Sequence, residues 1–303
     1  MIMAQTSGLE DKMDSDRIVH PWWACVLQCP DCRGEFVNDS TPTCSRCGYQ
    51  PKEANDFRPS HPELRNVSFA PLLNCDPAMS LQAIETSRPA LTYSGPMPGR
   101  DSRELFSVLS PLPMGRLLDL GCGPRDQATP AQHMGFEYVG ADVSGNAPDL
   151  LADAHALPFR NNSFDAVLSY AVLEHLHQPF LALEEISRIL KPGGSFVGTV
   201  SQGEPFHASF FHLTAYGLLS LVASQPDLKV ARLWASHDTL ASLSQMGRYP
   251  RVTRIFIGLL NKFDSLTPWL APRKQMWPAK EKEIDRIHRA GSICFHMRKS
   301  FPC

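Results

Sequence analysis

The sequence predicts an α/β protein, a doubly wound and mostly parallel sheet preceded by a small β module organised around cysteines. Three observations carry this. From Gly115 onward, short apolar runs alternate with stretches of helical period, as strands joined by crossover helices do. The first run, Arg116-Leu117-Leu118-Asp119-Leu120, ends in the turn Gly121-Cys122-Gly123. Open α/β sheets bind ligands at the C-terminal ends of their strands, and glycine there lets a ligand approach the backbone. Upstream, Cys29-Pro-Asp-Cys32 and Cys44-Ser-Arg-Cys47 form two C-x2-C pairs separated by eleven residues.

Composition bounds the rest. At 303 residues the chain fits a domain of about 200 residues plus a small module. No apolar run approaches the roughly 18 residues of a bilayer span, so no membrane association is expected. The 29 basic and 31 acidic residues are spread along the chain, which disfavours a nucleic-acid partner. Residues 1–20 mix both charge signs without an apolar core and are expected to be a disordered lead-in rather than a secretory signal. Nine cysteines without such a signal point to a reducing, cytoplasmic setting, where clustered thiols bind metal more often than they form disulfides.

Residues 21–58 are expected to form a zinc ribbon. Cys29, Cys32, Cys44 and Cys47 have the spacing of a four-thiolate tetrahedral Zn2+ site, and Gly48 suits the left-handed backbone that follows a knuckle. Glu35-Phe36-Val37 and the turn Asn38-Asp39-Ser40 suggest a short hairpin between them. Four thiolates leave no open position to activate water, so the metal would be structural. Cys25 stands outside both pairs. The proline-rich residues 59–100 are expected to be a linker with at most one short helix, and the next helix opens at Asp101 or Ser102, with Ser102 a plausible cap.

The strands of residues 101–303 follow in order. Tyr138-Val139-Gly140-Ala141-Asp142 is the second, ending in an acid about twenty residues after the glycine turn, where a carboxylate accepts ribose hydroxyls. Asp142 has an alternative role as a helix cap through Ser144. Asp153-Ala154 precedes Leu157-Pro158-Phe159, and Asp153 also reads as a solvated loop acid. Ser163 to Tyr170 is the fourth strand. A helix then starts in Ala171 to Leu176, and an amphipathic helix over Glu184 to Leu190 leads through Lys191-Pro192-Gly193-Gly194 into the strand Ser195 to Val200. Thr214 opens a helix through Leu221, Leu228 to Trp234 is strand six and Ser292 to Arg298 strand seven. Residues 240–290 are an insertion whose helix, Val252 to Phe263, is expected to line a substrate pocket.

Through Asp-Leu-Gly-Cys-Gly at 119–123, Phe164-Asp165-Ala166-Val167 and Lys191-Pro192-Gly193-Gly194, in that order, residues 116–200 resemble the core of the class I S-adenosylmethionine-dependent methyltransferases of methyltransferase type 11. The resemblance implies a Rossmann-like sheet of seven strands, the seventh inserted antiparallel between the fifth and sixth. It also implies cofactor contacts: Asp119, Gly121, Cys122 and Gly123 at the methionine part, Asp142 and Val143 at the ribose, Asp153 and Ala154 at the adenine, and Ser169 at the end of strand four. The cysteine module resembles ribbons fused to certain methyltransferases. Nicotinamide binding fits less well, because Asp126 stands where G-x-G-x-x-G has its third glycine and S-adenosylmethionine has no pyrophosphate to cradle.

Methyl transfer from a sulfonium is an in-line displacement that needs a base only when the acceptor begins protonated. His207 and His212, in the aromatic stretch Gly203 to Leu213, are candidates, as are His175 and Tyr170 after strand four; all four also read as ordinary polar residues. The stretch itself is the expected lid. Ser169-Tyr170-Ala171-Val172 stands where methyltransferases of exocyclic amines carry Asn/Asp-Pro-Pro-Tyr/Phe, so a small-molecule acceptor methylated on oxygen, nitrogen or carbon is expected. The alternatives are an RNA guanine-type methyltransferase with an N-terminal zinc module and a non-catalytic binding module. The sequence implies no oligomeric state.

Overall fold

The protein is seen as a computed structural model that describes residues 21–37, 41–60, 81–96, 99–112, 115–204, 208–237, 239, 243, 250–266 and 278–301. The lead-in, the Asn38-Asp39-Ser40 turn, most of the linker and His207 lie outside the described residues. Strands β1 (Phe36–Val37) and β2 (Thr43–Cys44) pair antiparallel as the ribbon hairpin. Helix α1 (Arg100–Leu109) leads into β3 (Arg116–Leu120), α2 (Ala128–His133), β4 (Glu137–Asp142), β5 (Leu150–Leu151) and β6 (Phe164–Tyr170). Then come α3 (Pro179–Ile189), β7 (Leu190–Ser201), α4 (Ala215–Ala223), β8 (Leu228–Ala235), α5 (Arg251–Leu266), α6 (Ala279–His288) and β9 (Ser292–Lys299).

The main sheet has seven strands in the order β5-β4-β3-β6-β7-β9-β8. The first five are parallel, and β9 runs antiparallel between β7 and β8, as expected. The chain winds outward from β3 to β5 and then returns to β6 on the other side of β3, so the strand order reverses between β3 and β6 and leaves a crevice at their C-terminal ends. Successive strand residues face opposite layers. Leu118 and Val167 pack with Ile186 of α3 and Leu218 of α4, whereas Leu117, Ala166 and Leu168 pack with Phe106 and Leu109 of α1. Both faces are apolar because helices cover both.

Several helix boundaries differ from the sequence reading. α1 starts at Arg100 after extended Gly99, with no side-chain cap, and Ser102 is buried inside the first turn. The segment after β6 makes only a single 3-10 turn, Leu173–His175, and α3 begins five residues before Glu184, because Pro179 is a favourable first helical residue. Thr214 does cap α4, its Oγ1 accepting from Gly217 N at 3.1 Å. The Lys-Pro-Gly-Gly turn is taken up in the long strand β7 next to a register shift opposite Phe164 and Ala166, and Lys191 Nζ bonds the Asp165 carboxylate at 2.7 and 2.9 Å.

The ribbon is joined to the sheet by backbone and side chain. Gln28 N donates to Pro158 O at 2.9 Å and Arg160 N to Val26 O at 2.8 Å, while Leu151 N donates to Asn55 O and Phe57 N to Leu151 O, so residues 55–57 extend the exposed edge of β5. Fully buried Phe57 joins the core beneath it. Arg33 reaches Glu185 of α3 at 2.8 Å.

Candidate functional site

The turn after β3 is held open by backbone geometry. Gly121 has φ +73°, and a Cβ there would stand 2.3 Å from Val172 Cγ2, so a side chain is excluded on two counts. Gly121 N donates to Ala141 O at 2.8 Å, tying the turn to the end of β4. Gly123 has φ +49° with no atom within 4 Å of an added Cβ, so the conformation favours glycine and the space beside it is open. The Asp142 carboxylate accepts from Gly123 N at 2.9 Å with one oxygen and from Val143 N at 2.7 Å with the other. No helix follows β4, so the cap role has nothing to cap, and the carboxylate keeps acceptor capacity for ribose hydroxyls.

Beside this turn lies a cavity of about 450 Å³, in the size range of small-molecule and cofactor sites. One wall is Leu120, Gly121, Asp142, Val143 and Ala152 to His155; the other is Ala171, Val172, His175 to His177 and Phe210. The Asp153 carboxylate meets His155 Nδ1 at 2.6 Å, and Gln178 N donates to His155 Nε2 at 3.2 Å. Nε2 therefore acts as the acceptor and Nδ1 carries the proton, which commits both ring nitrogens to structure. Burial works to raise the Asp153 pKa, but the His155 ring and backbone N–H outweigh it and hold the carboxyl below its usual range.

The outer wall is a stacked pair. The His177 and Phe210 rings lie 3.9 Å apart at 30°, and Phe210 N and Phe211 N both donate to Glu174 O at 3.0 Å. Glu174 is itself buried and accepts from Ser201 N at 2.8 Å, so the segment beginning at Ala208 is fastened to the end of β7.

Of the expected residues, Gly121, Asp142, Val143, Asp153, Ala154 and His175 line this cavity. Others lie off its wall. Asp119 is buried on the opposite face of β3, accepting from Tyr138 Oη at 2.7 Å; burial pushes its pKa up to about 7, and the Tyr138 bond opposes that shift. Cys122 is a buried thiol pushed up to about 12 by desolvation. Ser169 is wholly buried and paired with Leu120 across the sheet, its Oγ without a hydrogen-bond partner among the described residues. Tyr170 turns toward α1, its Oη 3.4 Å from Asp101, and burial raises its pKa. His212 is exposed outside the cavity wall. Among the described residues none of α5 lines the cavity, against the expectation for that helix. The sequence carries no signal for His155, His177 or the contact of Arg58, whereas Phe210 falls in the stretch expected to be the lid. His177 and Phe210 are 33 positions apart and carry no shared spacing signal.

In the ribbon the four cysteine Sγ atoms lie within 4.8 Å of one another, with Cys29 and Cys47 3.6 Å apart and Cys32 and Cys44 3.4 Å apart. Metal–sulfur bonds of about 2.3 Å in a tetrahedron place sulfurs about 3.8 Å apart, so the donor set fits zinc. Gly48 has φ +77° after the second pair and Arg33 φ 60° after the first, so both knuckles use the same left-handed step. Tyr49 packs on this cluster, and its Oη donates to Arg58 O at 2.8 Å. The Arg58 guanidinium bonds both Asp56 oxygens and reaches Val143 O at 3.3 Å, one residue beyond Asp142. The ribbon thus ends against the side of the cavity that carries Asp142 and Val143.

Residues 118–198 match the family described as a methyltransferase domain. The demethylmenaquinone methyltransferase of Renibacterium salmoninarum is 30% identical over 161 residues, covering 46% of this chain and 68% of that protein. The human mitochondrial arginine-hydroxylase NDUFAF5 is 36% identical over 105 residues, covering 30% of each. Among solved structures, the [4+2]-cyclase SpnF aligns with 77% of this chain and 93% of its own at 20% identity and a TM-score of 0.40. The chain spans 40% of the length of an uncharacterized transposon protein from Streptomyces fradiae, at 32% identity. The chain belongs to the class I S-adenosylmethionine-dependent methyltransferases.

Proposed function

We propose that this enzyme methylates a small-molecule acceptor on oxygen, nitrogen or carbon within a biosynthetic sequence, and that its ribbon holds one structural zinc. The observation that carries the reading is the cavity, where a glycine turn and two acids share one wall and imidazole and aromatic rings form the other. When bound, S-adenosylmethionine supplies an electrophilic methyl group on a sulfonium. Asp142 accepts the ribose hydroxyls with the lone pairs left by Gly123 N and Val143 N, and Asp153 with Ala154 reads the adenine edge. The turn at Gly121, which lines the cavity, and the open space beside Gly123 admit the methionine part, and the unpartnered Ser169 Oγ lies at the end of the adjoining strand.

On the other wall Phe210 and His177 exclude water and present a flat surface to the acceptor, which brings nucleophile and methyl group in line. His175 or His177 takes the acceptor's proton where there is one, since His155 has both nitrogens engaged. Similarity to demethylmenaquinone methyltransferase and to ubiquinone biosynthesis O-methyltransferase supports a small acceptor.

Calorimetry with S-adenosylmethionine, followed by labelled methyl transfer into a metabolite extract and, separately, into total RNA, tests the reading. Label in a small organic product is expected. Absence of cofactor binding would overturn the enzyme, and label in RNA alone would replace the acceptor class. Zinc analysis of protein purified without chelator is expected to give about one ion per chain.

A further inference from the structure

α5 carries five large apolar side chains on one exposed side. Val252, Ile255, Phe256, Leu259 and Leu260 recur at the intervals that make one stripe on a helix, and all five are exposed, from 45% to 78%. Thr253, Arg254, Ile257 and Gly258, on the other side, are the half-buried ones. A surface helix of a globular domain has the reverse arrangement, with its stripe against the core. The orientation here leaves five large side chains in water unless something covers them.

Charge indicates what covers them. Exposed Arg251 and Lys262 stand along one edge of the stripe, each roughly 100° around the axis from its centre. The sequence from 241 to 278 holds six cations, Arg248, Arg251, Arg254, Lys262, Arg273 and Lys274, against the single acid Asp264, in a chain whose net charge is -2. A second copy packed stripe on stripe would set the cations of both helices along one seam, with no acid in 251–262 to neutralise them. A nucleic acid would match the charge and leave the stripe uncovered. An anionic lipid surface satisfies both, taking the apolar side chains into the acyl boundary and the cations at the headgroups. No helix among the described residues is long and apolar enough to cross a membrane, so the contact is in the plane of the surface.

We propose that α5 is an interfacial helix that seats the protein on an anionic lipid surface through Val252, Ile255, Phe256, Leu259 and Leu260, with Arg251 and Lys262 against the headgroups. It is independent of the acceptor assigned above, since among the described residues none of α5 lines the cavity.

Flotation of the full chain with phosphatidylcholine vesicles, with and without phosphatidylglycerol, tests it. The protein is expected to float with the anionic vesicles and stay behind with the neutral ones, and salt should weaken the association. The double variant Phe256→Glu/Leu259→Glu should lose flotation while keeping the wild-type melting temperature and S-adenosylmethionine affinity. Arg251→Glu/Lys262→Glu, which leaves the stripe intact, should weaken partitioning by about fivefold or more per cation reversed. Flotation unchanged in both variants, or none with wild type, would overturn the proposal. A dimer in solution that Phe256→Glu/Leu259→Glu converts to monomer, without flotation, would assign the stripe to a second copy instead.

Discussion

The two walls of the cavity are built by different means. On the cofactor side the groups are held by the backbone: Gly121 is pinned to Ala141 O, and Asp142 is clamped by the N–H groups of Gly123 and Val143. On the acceptor side the groups are side chains on a single 3-10 turn and on a segment fastened through Glu174 O. A donor of fixed chemistry suits a wall fixed by main-chain geometry. A wall made of side chains can be changed residue by residue, which suits the side proposed for the acceptor.

The comparison breaks most sharply at Gly121. Gly121→Ala places a Cβ against Val172 at positive φ, at a cost of about 2–6 kcal/mol from overpacking and backbone strain together. Calorimetry should find S-adenosylmethionine binding reduced beyond measurement; retained binding would show that Val172 yields and that the turn is less rigid than its bonds imply. The opposite wall is expected to respond in rate. Loss of the base, by His175→Ala or His177→Ala, should lower kcat by about a hundredfold while the cofactor Kd stays within a factor of two or so. If neither variant changes kcat, the acceptor needs no base or takes it from His212 or His207.

Asp142→Asn keeps the shape and removes the charge, and weakens cofactor binding by about 1.5–3 kcal/mol, about ten- to a hundredfold. Arg58→Ala, which removes only the contact with Val143 O and the partner of buried Asp56, should weaken cofactor binding by up to about fivefold. An equal loss in a variant lacking one of the four ribbon cysteines would identify Tyr49 and Arg58 as the route from ribbon to the proposed cofactor site. The smallest effect is a slope. Asp119 has a folded pKa near 7 against an ordinary 3.8, so its contribution to stability is fully present below pH 3.8 and is lost as pH rises through 7. Chemical denaturation from pH 4 to 8 should show that decline in the wild type and a flatter profile in Asp119→Asn.

Particular residues show why one wall was legible beforehand and the other was not. Gly121 and Asp142 are marked by position, because a strand end followed by glycine and a strand end in acid are constraints on neighbouring residues. Cys29, Cys32, Cys44 and Cys47 are legible for the same reason, as two short-range pairs. Asp119 is expected at the methionine part from its place at the turn, yet the alternation of β3 turns it to the face of Tyr138 and away from the cavity. His155 and His177 carry no local signature, and only the return of residues 208–213 across the strand ends gives His177 its stacking partner. α5 was recognised as a helix from its period, but which face it turns to the protein depends on what it packs against.

By itself the sequence determined most of the strands of the sheet, the glycine turn, the acid at the end of β4 and the two cysteine pairs, since each is fixed by interactions within a few residues. The tertiary structure alone decided which imidazoles reach the cavity, that the ribbon extends the β5 edge and brings Arg58 to Val143, and that the apolar stripe of α5 faces outward. Those outcomes depend on contacts between residues far apart in the chain. Periodicity records that a face is apolar, and packing settles where the face points.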